Sequence, residues 1–240
     1  MSPSRRVGIL GGMFDPPHQG HLDVGAAAEQ ALSLTGMLFI PSNIPPHRPQ
    51  PIASSYHRFA MTAMAIAARP EWQVLDLELR QATPSYTADT LRQLHAIGYA
   101  PAELIFLTGA DAFAEIATWK DYPAIFDLAH FGVVSRPGTT LDQLVPRLPA
   151  LAPRLRIAAG AAADCAANAL SIFLIDAPTS DVSSTAVREA RRGNRSLAGL
   201  VPPSVEQHIH QHGLYIDPAA DRDAGAAAAA AKSGRLHGED

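Results

Sequence analysis

The sequence predicts an α/β protein built on a doubly wound, mainly parallel sheet with helices on both faces. Three observations predict it. Short, largely apolar runs recur at residues 7–10, 37–40, 104–108, 131–134 and 171–175, each the length of a buried strand. Stretches of helical character, several of them rich in Ala, separate these runs, and that alternation implies parallel pairing. The loops after several of the runs concentrate Gly, Pro, His and Asn. They leave the strand ends outside which α/β folds bind their ligands.

Taken in order, Val7, Gly8, Ile9 and Leu10 form the first strand, and Leu22, Ala26, Glu29 and Gln30 belong to an Ala-rich helix behind it. Residues 37–40 are the second strand, ending in a proline-rich loop, 41–49, that is barred from helix. Ser54 and Ser55 offer a cap to an Ala- and Met-rich helix reaching to about Ala68. Val74 and Leu75 read as a short strand, and 83–86 as a loop. Thr87 is expected to cap a helix through Leu91, Leu94 and His95, stopped by Gly98. The run 104–108 is the clearest buried strand, with Gly109, Ala110 and Asp111 at its C-terminal end. Residues 121–128 read as a helix, and 131–134 as a strand leading to Ser135, Arg136, Pro137 and Gly138. The Ala- and Pro-rich segment 139–168 says little. Residues 171–175 are the last strand. The segment 182–185 opens a helix whose body is 186–192 and whose stop is Gly193 and Asn194. The final helix covers 202–212 and ends at Gly213. From Asp217 onward almost no large apolar residue remains, so 217–240 is expected to be a disordered Ala-rich tail behind a single domain, 1–216.

Composition narrows the function. At 240 residues, 47% hydrophobic and 18% charged, the chain has the balance of an ordinary globular protein. A net charge of −4 argues against a broad nucleic-acid-binding surface. The single cysteine, Cys165, excludes an internal disulfide and fits a cytoplasmic setting. No apolar run approaches the ~20 residues of a membrane span, and the apolar run after Arg5 and Arg6 is too short for a secretory signal. The oligomeric state stays open between monomer and homodimer.

The chemistry concentrates between Gly11 and His21: Gly11, Gly12, Met13, Phe14, Asp15, Pro16, Pro17, His18, Gln19, Gly20, His21. Strand, Gly-Gly turn, loop and helix follow in the order by which α/β proteins bring phosphate to a helix N-terminus. Gly11 and Gly12 are expected to turn the chain sharply and let a ligand approach the backbone, because no Cβ intervenes. Pro16 and Pro17 stiffen the loop. His18 and His21, three apart at the first turn, can face one ligand. Such a pair also fits an exposed helix face or half of a metal site, but the Gly-Gly turn, the Phe-Asp-Pro run and Gly20 favour the phosphate reading. Neither Gly-x-Gly-x-x-Gly nor Gly-x-x-x-x-Gly-Lys-Ser/Thr is present. His-x-Gly-His after such a turn resembles the signature of the nucleotidyltransferases related to class I aminoacyl-tRNA synthetases. That resemblance implies a Rossmann-like fold, with both histidines contacting a triphosphate.

Five blocks narrow the resemblance to bacterial nicotinate-nucleotide adenylyltransferases: 11–21, 41–48, 84–91, 108–127 and 183–188, with 205–215 fitting as well. Asn43, Ile44, Pro45, Pro46 and His47, then Pro84, Ser85, Tyr86 and Thr87, then Thr118 and Trp119, are the narrowing motifs. The resemblance implies adenylyl transfer from ATP to nicotinate mononucleotide, giving deamido-NAD and pyrophosphate in NAD biosynthesis. It implies Mg²⁺ bound mainly through the ATP phosphates, with no metal site made by the protein itself. His21, His18 and Arg188 carry catalysis on this reading. Gly11, Gly12 and Met13 run along the ATP phosphates, with Ser184 and Thr185 either joining them or serving only as caps. Gly109 and Asp111 belong to adenosine and ribose, and Arg136 either covers the adenine or is a surface Arg. Asn43, His47, Arg48, Tyr86, Thr87 and Trp119 belong to nicotinate mononucleotide, Trp119 either stacking on the pyridine or filling core. Phe14, Asp15 and Tyr86 are read chiefly as holding loops in shape. Met13 departs from the family, which usually places Ser or Thr there, so a hydroxyl contact to phosphate is lost.

Sister enzymes share the first motif. Pantetheine-phosphate adenylyltransferases are typically shorter, and neither they nor cytidylyltransferases explain Thr118 and Trp119. An aminoacyl-tRNA synthetase would need a Lys-Met-Ser-Lys-Ser-like block where this chain has Val182, Ser183, Ser184 and Thr185. A non-catalytic nucleotide-binding regulator has only Met13 in its favour.

Overall fold

Val7–Gly12 (β1) is buried through its first four residues, and such a strand is stable only inside a sheet covered on two sides. The structure, a computed structural model that describes residues 5–46, 49–135, 149–158 and 170–216, places it there. Gly36–Pro41 (β2), Trp72–Val74 (β3), Leu104–Gly109 (β4), His130–Val134 (β5), Leu155–Ile157 (β6) and Ile172–Ile175 (β7) complete the sheet. Its order is β3-β2-β1-β4-β5-β7-β6, and every pairing is parallel. The chain winds outward from β1 in one direction and from β4 in the other. Between those two strands lies the switch point, where doubly wound sheets open a crevice. Leu10 sits opposite Leu107 and Gly12 opposite Pro41, so the loops after β1, β2 and β4 leave the sheet side by side.

Gln19–Leu32 (α1), Ser55–Ile66 (α2), Thr87–Ala96 (α3), Ala110–Ala114 (α4), Ser184–Arg192 (α5) and Pro203–Gln211 (α6) surround it. On one face Ala88, Leu91 and Leu94 of α3 pack with Phe126 onto Ile9 and Phe131. On the other, Val24, Ala28 and Leu32 of α1 cover Leu10, Phe39 and Ile105. A fully buried side chain of this kind contributes about 1.5–3 kcal/mol, so packing on the sheet, more than intrinsic propensity, holds these helices. A third cluster joins Met61 of α2, Val187 of α5, and Val205 and Ile209 of α6 to Tyr215. It fastens the C-terminal segment beside the start of α2.

The expected α/β class, parallel sheet and main elements are present, with departures that have local causes. The short third strand is Trp72–Val74, beginning two residues earlier than read and ending one earlier, because Trp72 is buried and anchored through its indole N–H on Glu29 Oε1 at 2.9 Å. Thr87 is the first helical residue of α3 and not its cap; Tyr86 stands at the cap and makes no side-chain bond there. Residues 121–128 are not a regular helix but a 3₁₀ turn, Ala124–Asp127. Asp121 lies in the left-handed region at φ 63°, and Pro123 supplies no N–H to begin an α ladder. The uninformative segment contributes β6, which makes β7 an interior strand although it is last in the chain. Gly11 and Gly12 do not make the sharp turn. They continue β1, and the left-handed residue is Phe14 at φ 48°.

The tail 217–240 lies outside the described residues. Its lack of apolar surface leads us to expect that truncation after Ile216 leaves the melting temperature and turnover nearly unchanged. A marked drop in Tm by scanning calorimetry would show that the tail docks.

Candidate active site

The loop from β1 to α1 is closed on itself by its own histidines. His18 stands at the N-cap of α1 in extended conformation, 4% exposed, and its carbonyl accepts from the His21 N–H at 2.9 Å. The His18 N–H donates to His21 Nδ1 at 3.2 Å. With Nδ1 used as an acceptor, neutral His21 carries its proton on Nε2 and is a donor there. The two rings lie 3.7 Å apart between centroids, and the Phe14 ring meets His21 edge-on at 4.9 Å. Gly20 packs tightly: an added Cβ would stand 3.2 Å from the His18 ring and from the Ser180 carbonyl, so these neighbours would have to give by a few tenths of an ångström. The structure thus brings the two imidazoles together, their planes tilted by 34°.

Asp15 is the hub that holds the loop. Its carboxylate accepts from the Ile52 N–H at 2.7 Å, the Ala53 N–H at 3.0 Å and the Tyr215 hydroxyl at 2.8 Å, and the residue is 2% exposed. Burial, then the Asp15 carboxylate, pushes the Tyr215 phenol far above its ordinary range, so it stays a donor. Arg58, also 2% exposed, gathers the carbonyls of Met13 at 2.7 Å, Ser42 at 2.6 Å and Ala53 at 3.3 Å. Burial lowers the Arg58 pKa while nearby Asp15 acts to raise it. One guanidinium thus ties the loops after β1 and β2 to the start of α2. Sequence reasoning missed it, since an Arg in an amphipathic helix carries no signal that it points inward. Tyr215→Phe removes a buried donor from a carboxylate. It should cost about 1.5–3 kcal/mol, a fall of roughly 5–10 °C in Tm. A thermal melt within 1 °C of the parent, on the order of experimental scatter at this size, would show the bond to be dispensable.

The start of α5 docks on this loop. Ser183 caps α5 by accepting from the Ala186 N–H at 3.1 Å, the Ser184 hydroxyl donates to the Pro16 carbonyl at 2.8 Å, and Arg188 donates to the Asp15 carbonyl at 2.7 Å. Arg188 also reaches Thr185 Oγ1 at 3.1 Å and lies 4.0 Å from the Asp15 carboxylate. Asp23 accepts from the Ser180 N–H at 2.8 Å, pinning the preceding loop to α1. His18, His21, Ser184, Thr185 and Arg188 are therefore brought together along one seam. Two helix N-termini, those of α1 and α5, meet there. The Gln19 N–H is given to the Leu200 carbonyl and the Ala186 N–H to Ser183 Oγ, so it is chiefly the positive ends of the two helix dipoles that make such a seam a place for anionic oxygen.

A second set of loops gathers at the neighbouring strand ends. The Asn43 N–H donates to Ser85 Oγ at 3.1 Å, Asn43 Nδ2 to the Gln81 carbonyl at 2.6 Å, and the Ser85 N–H to the Ile44 carbonyl at 2.8 Å. Asn43 thus spends its amide N–H on loop structure. Trp119, half-buried, sets its ring at 85° to Phe106 with centroids 5.9 Å apart, so it is partly core. Lys120 lies 4.9 Å over the Tyr86 ring and pairs with Asp89 at 2.7 Å, joining the Trp119 loop to the start of α3. Thr87 opens α3 within this cluster. Gly109 precedes α4 at the end of β4, and Asp111 is exposed in the first turn of α4. An added Cβ would meet only ordinary contacts at Gly11 (Phe106, 3.7 Å) and Gly12 (Phe14, 3.4 Å). His47, Arg48 and Arg136 lie outside the described residues.

Known proteins resemble this chain in sequence and in fold. The cytidylyltransferase-like family model matches residues 9–190. A protein of Citrifermentans bemidjiense named probable nicotinate-nucleotide adenylyltransferase is 37% identical over 219 residues, covering 88% of this chain and 99% of its own. A Cronobacter sakazakii protein of the same name is 38% identical, with 85% and 93% covered. Two structures of Plasmodium falciparum nicotinic acid mononucleotide adenylyltransferase, one complexed with APC and one with NaAD, match with a TM-score of 0.66. They cover 88% of this chain and 97% of theirs at 16% identity, a likeness of fold. With a family model spanning most of the chain and relatives well above 30% identity matched almost end to end, the chain belongs to the nicotinate-nucleotide adenylyltransferases, nucleotidyltransferases of NAD biosynthesis.

Proposed function

We propose that this chain transfers the AMP part of ATP to nicotinate mononucleotide and that it does so by position and charge alone. The observation that carries the residue roles is the seam where Ser184 and Arg188 of α5 bond the carbonyls of Pro16 and Asp15, beside the stacked His18 and His21. A phosphate oxygen of the mononucleotide attacks the α-phosphorus of ATP, and the bond from that phosphorus to the bridging oxygen of the β-phosphate breaks. Pyrophosphate leaves with the bonding pair. The developing negative charge is met by the Nε2–H of His21, by His18, and by the positive dipole ends of α1 and α5, with Ser184, Thr185 and Arg188 beside them. Gly11, Gly12 and Met13 run along the phosphates, while Gly109, Asp111 and Arg136 take adenosine. Asn43, His47, Arg48, Tyr86, Thr87 and Trp119 take the mononucleotide.

Mg²⁺ would be held mainly through the ATP phosphates, and when bound it would neutralise part of their charge. The Asp15 oxygens are engaged by Ile52, Ala53 and Tyr215, so this carboxylate is taken up by the loop itself. Mg²⁺ demands oxygen and keeps its waters, so it fits a phosphate-borne role. Residues 1–216 act as one unit on this reading, in the cytoplasm. No helix among the described residues is long and apolar enough to cross a membrane. Pyrophosphate release from ATP, measured with nicotinate mononucleotide and with the acceptor omitted, tests the proposal. Acceptor-independent release, or none, overturns it.

A further inference from the structure

Away from the phosphate seam, three histidines from two distant parts of the sequence meet on one patch. His57 stands in the first turn of α2, His208 in α6 and His212 at the C-cap of α6. His57 Nδ1 and His208 Nε2 are 3.0 Å apart although 151 residues separate them. The ring centroids of His57 and His212 are 4.8 Å apart, and those of His208 and His212 4.3 Å. One nitrogen from each residue can be chosen so that all three lie within 4.8 Å of one another. His208 and His212 have the i, i+4 spacing by which one helix face presents two imidazoles to a single ion.

We propose that His57, His208 and His212 form a three-nitrogen site for a borderline divalent transition metal of the zinc class, with a fourth position left to water. Zinc–nitrogen bonds of about 2.0–2.1 Å put tetrahedral ligand atoms roughly 3.3–3.4 Å apart. The His57–His208 pair, at 3.0 Å, is held by a hydrogen bond and lies a few tenths of an ångström inside that spacing, so an ion would replace the shared proton and part the rings slightly, while the exposed His212 would turn inward to join them. The donor set excludes the hard ions: imidazole suits zinc, cobalt, nickel and copper, whereas Mg²⁺ and Ca²⁺ need oxygen. The helix-end effects oppose each other, since a cation is favoured at the C-terminus of α6 and disfavoured at the N-terminus of α2. Coordination therefore decides. The ion would clip α6 to α2, two helices otherwise joined through the cluster of Met61, Val205 and Ile209. Ala53, just before α2, and Tyr215, just after α6, both bond Asp15, so the clip closes onto the hub of the phosphate-binding loop.

The test uses the full, tag-free chain with Zn²⁺ and Co²⁺ as probes and millimolar Mg²⁺ present throughout. We expect one equivalent of Zn²⁺ to bind, Co²⁺ to acquire the intense visible absorption of a low-coordinate centre, and saturating Zn²⁺ to raise Tm by roughly 5–10 °C. His57→Ala and His212→Ala, both outside the buried core, should each weaken binding by at least ~10²-fold. A double His18→Ala, His21→Ala variant should retain the stoichiometry, which separates this site from the phosphate seam. A Co²⁺ spectrum unchanged from the aqueous ion, or Zn²⁺ binding that survives loss of His57 and His212, would overturn the proposal.

Discussion

Replacing His21 by Ala is expected to lower kcat by about 10²–10³-fold, the scale for deleting one preorganised donor to a charge that develops in the transition state. The structure sharpens what is removed. His21 Nδ1 is held by the His18 N–H, which leaves Nε2 as the donating nitrogen. Alanine therefore deletes two things, the donor and an acceptor that shapes the loop. His21→Asn separates them, since its amide oxygen can stand near Nδ1 and accept from His18 while nothing replaces Nε2–H. We expect both variants to lose turnover alike, but only His21→Ala to lose stability, by about 1 kcal/mol. Single-turnover kinetics with saturating ATP and nicotinate mononucleotide check this. A His21→Ala enzyme that keeps more than about a third of parental turnover, far above the range for such a donor, would remove the residue from the mechanism.

What was legible in the sequence follows the range over which each signal acts. Strand runs and the Gly-to-His loop are local patterns, and β1, β2, β4, β5 and β7 with the His18–His21 pair stand where those patterns place them. The strand β6 was illegible because three residues at a sheet edge, two of them exposed, need no apolar run. Asp15 could be read as a loop-holding residue from its Phe-Asp-Pro setting, yet its partners at Ile52, Ala53 and Tyr215 lie up to 200 residues away. Arg58 and the histidine patch were invisible for the same reason. A buried Arg or a third imidazole acquires meaning only when helices from opposite ends of the chain pack together. Gly11 and Gly12 show the converse error: a motif glycine was read as a turn, whereas the backbone turns at Phe14.

The choice of acceptor should be as marked as the effect of His21. Nicotinate and nicotinamide differ by carboxylate against amide, so discrimination needs donors without a matching acceptor. The N-terminus of α3 supplies them, for Tyr86 offers no side-chain cap and the first N–H groups, beginning at Thr87, point out of the helix. The nearby acidic groups are already spent. Asp89 pairs with Lys120 at 2.7 Å and with Arg92 at 3.2 Å, and Asp121 pairs with Arg92 at 2.6 Å. Glu78, which sequence reasoning did not weigh, is buried behind this loop; its carboxylate accepts from Thr90 at 2.5 Å, and burial raises its pKa. A carboxylate ligand meets unopposed donors there, whereas an amide sets N–H against N–H. Unpaired polar groups in a closed site cost ~10²-fold or more in specificity. We therefore expect kcat/KM for nicotinate mononucleotide to exceed that for the nicotinamide form by at least ~10²-fold. Trp119→Ala should weaken the preferred acceptor while leaving ATP affinity within a few-fold, because the lost ring contact is local to that loop. Competition between the two acceptors in one pyrophosphate-release assay measures the ratio. Equal rates would refute the donor-rich pocket at α3 and leave adenylyl transfer itself untouched.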